Sequence, residues 1–251
     1  MRGIKNSLGR YFAIFAITAL GVGFFSGLKA ARPAMRKTAD DYFSDLKMYD
    51  FQLVSSIGFT DEDVEAFSCI EGINAVEGGY QADTLICSED DDGKSEMLVY
   101  RIFSLPEKVS VPLLVAGEMP RSGNECAADS SLFGENDIGK ILKVSVQDPD
   151  ESDILQSREY VISGIVQSPR FIGTERGSSH LGSGEIAGFL YISENGFNSS
   201  VYTELLIDGD ISDPFFTEAY DEAALKLSYE INSLLEERFY LRYNMIPQNT
   251  A

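Results

Sequence analysis

The apolar positions divide the chain into two unlike parts. Residues 11–28, Tyr-Phe-Ala-Ile-Phe-Ala-Ile-Thr-Ala-Leu-Gly-Val-Gly-Phe-Phe-Ser-Gly-Leu, carry no charged side chain. At about 1.5 Å per residue such a helix reaches roughly 27 Å, close to the thickness of a bilayer core. The pattern predicts a transmembrane helix over residues 11–31. Tyr11 stands at one interface and Lys29 and Arg32 at the other, where long basic side chains can snorkel. A cleaved signal peptide would share the basic start. The length of the apolar run, and Lys29 and Arg32 in place of a small-x-small cleavage site, favour an uncleaved span. Ala19, Gly23, Gly27 and Ala31 recur every fourth residue and so share a helical face. Small side chains there let a neighbouring helix approach closely, which makes these four the candidate helix-packing residues.

Beyond the span the apolar period changes. Residues 32–47 read as a helical stalk interrupted at Pro33, with Met35, Ala39, Tyr42, Phe43 and Leu46 along one side. A short strand follows over 51–55. Thr60 then caps a helix whose first turn is acidic (Asp61, Glu62, Asp63) and whose apolar positions are Val64, Phe67 and Ile70. Two β-rich runs, 75–88 and 97–103, flank a hairpin turn at 89–93. Residues 118–133 read as irregular. A second hairpin joins 141–146 to 160–166 around an acidic loop at 148–153, and a Gly/Ser-rich stretch, 173–188, precedes strands at 189–192 and 201–207.

Asp213 as cap and Pro214 at the first helical position predict a long amphipathic helix over 213–243. Its buried stripe is Phe216, Tyr220, Ala223, Leu227, Ile231 and Leu234. The class is α+β: one N-terminal transmembrane helix, a mixed α/β domain over 48–212, and the closing helix.

Charge sharpens the division. Of the 20 basic residues, seven (Arg2, Lys5, Arg10, Lys29, Arg32, Arg36, Lys37) lie in residues 1–37, which hold no acid. The remaining 13 face 40 acidic residues, a balance of −27. So acidic a domain repels phosphate backbones, which argues against nucleic acid as a partner. The basic segment sits where an anchor meets lipid head groups. Basic residues on both sides of the span leave the positive-inside rule undecided; the acidic domain leans towards the outside.

Catalytic and cofactor patterns fail on inspection. Residues 134–140, Gly-Glu-Asn-Asp-Ile-Gly-Lys, have the spacing of a phosphate-binding loop, but Ile141 stands where Ser or Thr should hold magnesium. Asp90, Asp92 and Gly93 suggest part of a calcium loop, yet Ser88 occupies the first ligand position and Val99 the position of the bidentate Glu. His180 lies among Ser178, Ser179, Ser183 and Glu185 without a nucleophile elbow. Cys69, Cys87 and Cys126 are widely spaced and share one histidine, too little for a zinc site. No enzyme activity, metal or cofactor is expected. The long loop from Ser168, with Arg170, Phe171 and Arg176, is the candidate partner-binding loop.

Residues 9–11 (Gly-Arg-Tyr), 19–25 (Ala-Leu-Gly-Val-Gly-Phe-Phe), 32–35 (Arg-Pro-Ala-Met) and 38–42 (Thr-Ala-Asp-Asp-Tyr) resemble the first membrane helix of FtsX-like ABC transporter permeases. Residues 58–63 (Gly-Phe-Thr-Asp-Glu-Asp), 76–80 (Val-Glu-Gly-Gly-Tyr) and 168–179 (Ser-Pro-Arg-Phe-Ile-Gly-Thr-Glu-Arg-Gly-Ser-Ser) extend the resemblance to members with a MacB-type extracytoplasmic domain. It implies a cytoplasmic tail at 1–10, the domain outside the bacterial cytoplasmic membrane, and a closing helix that returns to further membrane helices. It also implies a dimeric assembly driven by a separate ABC ATPase subunit, with ATP hydrolysis relayed to the outer domain for export or mechanotransmission. Such an FtsX core is not found within these residues, so an N-terminal portion of a permease is expected. The alternative is a membrane-anchored extracytoplasmic binding or sensor module for a peptide, lipid or envelope protein.

Overall fold

The computed structural model describes residues 8–89, 95–145 and 154–245. Helix α1 (Leu8–Asp45) carries the apolar segment and the stalk as one rod of 38 residues. Among the described residues it is the one helix long and apolar enough to cross a membrane, and none of its apolar window is buried. Pro33 lies inside α1 and does not interrupt it. Proline lacks an N–H and costs one hydrogen bond, but Ala30, Ala31, Ala34 and Met35 around it are strong helix formers.

Among the described residues ten strands follow, in two sheets. Strands β1 (Phe51–Phe59), β10 (Tyr202–Gly209) and β2 (Ile73–Gly79) form a three-stranded antiparallel sheet with β10 central. Helix α2 (Asp61–Ser68) and the closing helix α3 (Glu218–Met245) cover one face of it. Phe67 from α2 and Leu227 and Ile231 from α3 meet Phe59, Val76, Leu205 and Ile207 there. The Asp63 carboxylate accepts the Thr60 backbone N–H at 2.8 Å, closing the start of α2 as its sequence predicts.

The second sheet has the order β5-β8-β6-β9-β4-β3-β7, and β7 also pairs with β8. Its strands are β3 (Gln81–Glu89), β4 (Ser95–Ser104), β5 (Leu113–Gly117), β6 (Glu125–Asp129), β7 (Ile141–Ser145), β8 (Glu159–Gln167) and β9 (Ile186–Ile192). Because β7 bonds to β3 on one side and β8 on the other, six of the strands close into a barrel. Alternation sorts side chains by face. Tyr100, Ile102, Ile162, Leu190 and Ile192 fill the inside, while Phe103, Val166, Phe189 and Tyr191 form a second cluster outside it.

Several elements differ from the sequence pattern. The apolar run 75–88 is two strands in two sheets, parted at Tyr80. The stretch 118–133 contains β6, which lies between β8 and β9; Cys126-Ala-Ala-Asp has little strand propensity, and pairing on both sides imposes the conformation. The first strand runs on to Phe59. Helix α3 begins at Glu218 rather than at Pro214: Phe216 takes a left-handed φ of 64°, and the Thr217 hydroxyl accepts the Tyr220 N–H at 3.2 Å. Phe216 is exposed, so the buried stripe starts farther along. The acidic tips containing Asp90, Asp92 and 148–153 lie outside the described residues.

Candidate functional site

The end of α1, the small sheet and the barrel meet at one junction, and the sequence builds it from several short segments. After α1 the chain passes Leu46–Asp50 into β1. The loop after β4 lies against this exit: Ser110 N donates to Lys47 O at 2.6 Å, Val111 N to Leu46 O at 3.1 Å, and Tyr49 N to the Ser110 hydroxyl at 2.9 Å. The same loop is gripped from the small sheet. The Glu77 carboxylate on β2 accepts the backbone N–H groups of Glu107, Lys108 and Val109 at 2.7, 2.9 and 2.8 Å. Three charge-assisted bonds to one carboxylate make a strong local anchor.

Next to Glu77, two glycines make room for β10. A Cβ on Gly78 would stand 2.5 Å from the Tyr202 ring, and one on Gly79 would stand 3.1 Å from a Glu204 carboxylate oxygen. Tyr80 then stacks on Phe197, with ring centroids 5.1 Å apart. The backbone N–H of Gln81 donates to the Thr203 hydroxyl at 2.7 Å, a further tie between the two sheets.

Arg170, in the loop after β8, is the hub. Its guanidinium bonds the Glu204 carboxylate on β10 at 2.7 Å, with side chains 5% and 2% exposed. Gln52 on β1 donates to the same carboxylate at 2.6 Å. The guanidinium also lies 4.4 Å from the ring centre of Phe103 on β4 and 5.5 Å from that of Tyr49. Burial pulls the Arg170 pKa down, but the charge and hydrogen bond of Glu204 outweigh it and hold it above its ordinary value. Tyr191 beside it is pushed up to about 12, chiefly by burial.

Arg176 closes the other end of this loop. It bonds Asp129 at 2.6 Å from Nε and the Ser131 hydroxyl at 2.9 Å, and donates to the Gly173 carbonyl. Phe171 between them stacks on Phe189 with centroids 5.0 Å apart. The three residues singled out as a partner loop are thus brought together, but their side chains point into the protein. What the loop presents outward is Ile172, 73% exposed, with Gly173, Thr174 and Glu175. A cleft of about 540 Å³ separates this tip from Tyr42 of α1.

α3 starts at the same junction. Phe215 N donates to the Asp40 carboxylate at 2.8 Å, Phe43 packs edge-on against Phe215 at 5.3 Å, and the Tyr220 hydroxyl bonds Asp50. Asp50 is raised above the usual carboxylate range by burial, against the hydrogen bonds of Tyr220 and Gly209. Asp208 is raised as well, by burial and then by Asp50.

The remaining candidates lie elsewhere. Ala19, Gly23, Gly27 and Ala31 all face outward on α1, with open space beside Gly23 and Gly27. In the phosphate-loop look-alike, Asp137 accepts the Gly134 N–H at 2.8 Å and pairs with Lys140 at 2.7 Å, a turn bonded to itself. His180 is exposed at a second cleft, of about 580 Å³, lined by β3, residues 154–158 and the loop 179–181, where Arg101 pairs with Asp83 at 2.6 Å. Cys69 is exposed, Cys87 half-buried and Cys126 buried, all as free thiols. Among the described residues no group of three or more His, Cys, Asp or Glu side chains could hold a metal. Sequence reasoning missed Glu77, Glu204 and Asp129. The pair Gly78-Gly79 was the available signal for close approach, whereas nothing local marks a buried acid on a strand.

No family model and no curated protein matches the chain. Among solved structures it is similar to the extracellular domain of the noncanonic ABC-type transporter YknZ from Gram-positive bacteria, at 11% identity and a TM-score of 0.39, over 63% of this chain and 77% of that one. It is also similar to the periplasmic region of MacB from Actinobacillus actinomycetemcomitans, at 13% identity and a TM-score of 0.39, over 72% of this chain and 75% of that one.

Proposed function

We propose that this chain is the N-terminal part of an FtsX/MacB-type ABC transporter permease, with α1 as its first membrane span and the α/β domain outside. The domain takes up movement that a separate ATPase drives from the cytoplasm. The observation that carries this reading is the junction. A single unbroken rod leads from an 18-residue apolar run into a site where the loop after β4 and the small sheet are bonded to its exit and Arg170, from the loop after β8, lies over Tyr49. At about 1.5 Å per residue the rod is roughly 57 Å long. A stiff rod ending in a bonded junction transmits rotation or tilt as rigid-body motion instead of dissipating it in a linker.

In this reading Ala19, Gly23, Gly27 and Ala31 pack against other membrane helices of a dimeric permease, and α3 leads back towards them. The Ile172–Glu175 tip, held at both flanks by buried arginines, meets an extracytoplasmic protein, peptide or lipid. ATP hydrolysis belongs to the ATPase subunit.

The test is a fluorophore on Cys69 in the complete transporter, followed while the ATPase turns over. The reading expects a signal change on ATP binding that an ATPase unable to bind nucleotide abolishes. An unchanged signal in an active, intact complex rejects the relay. The cleft of about 580 Å³ between β3 and the loops at 154–158 and 179–181 favours the second reading, an anchored binding module; that reading predicts full folding and ligand capture with no ATPase present.

A further inference from the structure

Helix α1 has two dissimilar sides. At 100° per residue, Lys29, Arg32 and Arg36 fall within about 60° of one another. They continue a line of bulky residues, Tyr11, Ile14, Phe15, Val22 and Phe25, on the same side. The face of Ala19, Gly23, Gly27 and Ala31 is centred about 160° round the helix from that line. The small-residue face also carries Phe12 and Leu20, whereas the opposite side runs from apolar residues into three cations.

Those cations are unengaged. Lys29, Arg32 and Arg36 are exposed and make no ion pair among the described residues. The nearest acid on their side is Asp40, one turn beyond Arg36, and its carboxylate is taken by the Phe215 N–H at 2.8 Å. Their Cα atoms stand about 1.5, 6 and 12 Å beyond Leu28 along the axis, against a head-group layer about 5–8 Å deep on each side. Side chains on a helix lean towards its N-terminus, which here is towards the membrane. Arg36 therefore reaches back to the level of Arg32. The domain that follows carries a balance of −27 and would be repelled by an anionic leaflet; a cationic collar at the surface offsets that repulsion.

We propose that Lys29, Arg32 and Arg36 form a docking stripe for anionic phospholipid head groups, on the lipid-facing side of α1 and on the domain's side of the bilayer. This rests on α1 crossing the membrane and on no other part of the proposed function. Two phosphate-binding cations in the head-group layer and a third reaching into it would fix the rotation of α1, keeping the small-residue face turned to its neighbours.

The test uses the full chain in nanodiscs of equal parts POPC and POPG, with retained lipid counted by native mass spectrometry. Arg2→Gln, Lys5→Gln and Arg10→Gln are installed first to silence the opposite interface. A POPG preference is expected to persist in that background. Adding Lys29→Gln, Arg32→Gln and Arg36→Gln should reduce it about tenfold or more, while Lys37→Gln, off the stripe, should change it by less than about twofold. An absent preference in the first background, or one that survives loss of all three, overturns the proposal. So does an unchanged preference accompanied by loss of self-association, which would make the stripe a contact between two copies. Carbonate washing of membranes reads insertion separately. A chain that washes out removes the span and the stripe together; a chain that stays, with unaltered POPG retention, removes the stripe alone.

Discussion

The guanidinium of Arg170, just past the end of β8, meets the carboxylate of Glu204, in the middle of β10, at 2.7 Å with both side chains out of solvent. One pair thereby joins the barrel to the small sheet, and Tyr49 lies over it at the exit of α1. Removing one partner leaves an uncompensated buried charge, which costs about 3–5 kcal/mol, whereas replacing both with apolar side chains can be close to neutral. Arg170→Met alone should therefore lower the unfolding midpoint of the purified chain sharply, and Arg170→Met with Glu204→Leu should recover most of the loss. Thermal unfolding of both single variants and the double variant checks this; a loss in the double variant equal to the sum of the two single losses would show that the pair is not coupled.

Glu77 makes a different kind of joint, because its three acceptor contacts are to backbone N–H groups. Glu77→Gln keeps the shape but gives up the charge and half the acceptors. The expected loss is about 1–3 kcal/mol, at the lower end because the loop is partly exposed. Its signature is local: hydrogen exchange at the amides of Glu107, Lys108 and Val109 should accelerate while that of β6 and β9 stays slow.

Gly78 and Gly134 offer a matched comparison. An alanine methyl at Gly78 would overlap the Tyr202 ring at 2.5 Å, while nothing lies within 4 Å of a Cβ on Gly134. Gly78→Ala should destabilise by about 1–3 kcal/mol through overpacking. Gly134→Ala, whose φ of −125° suits any residue, should be neutral or slightly stabilising. Urea unfolding of the two variants separates the outcomes.

Asp50 and Asp208 give the junction a pH dependence with a definite sign. Burial raises both in the native chain. The native state then holds their protons to higher pH than the unfolded state does, so the stability they contribute is complete below the unfolded carboxylate pKa of about 4. It is lost as pH rises through the native values. Asp50→Asn should flatten the change in unfolding midpoint between mildly acidic and neutral pH, and a slope identical to that of the parent chain would reject the assignment.

The thiols provide a direct test of topology. Cys69 is exposed, whereas Cys126 lies in the barrel core with its pKa pushed up to about 12 by burial. A membrane-impermeant maleimide applied to intact spheroplasts should modify Cys69 and spare Cys126 until the domain is unfolded. Labelling of Cys69 only after lysis would place the domain in the cytoplasm.

How much of this could be read along the chain depends on the range over which each signal acts. The span, its small-residue face and the capped start of α2 are local: they need only a run of apolar residues, a spacing of four, or a Thr followed three residues later by an acid. The β3–β4 and β7–β8 hairpins were likewise legible, because neighbouring runs alternate in phase. Strand β6 was not, since Cys126, Ala127 and Ala128 take strand form from β8 and β9 on either side. The break at Tyr80 was hidden for a related reason: Gly78 and Gly79 matter through Tyr202 and Glu204, more than a hundred residues away.

By itself, then, the sequence determined a membrane-length apolar helix, an acidic α+β domain behind it, and the residue types of the loop from Ser168 to Arg176. Tertiary structure alone decided what those residues do. Arg170 and Arg176 carry the charge and length of partner-binding side chains, and a sequence does not record which acids will be buried beside them. Glu204 and Asp129 lie 34 and 47 residues from their arginines along the chain; only the seating of the barrel against the small sheet brings Glu204 to Arg170, and only the pairing of β6 with β8 and β9 brings Asp129 to Arg176. A buried charge must be paired where it is buried, so the two arginines turn inward and leave Ile172–Glu175 as the exposed part of the loop.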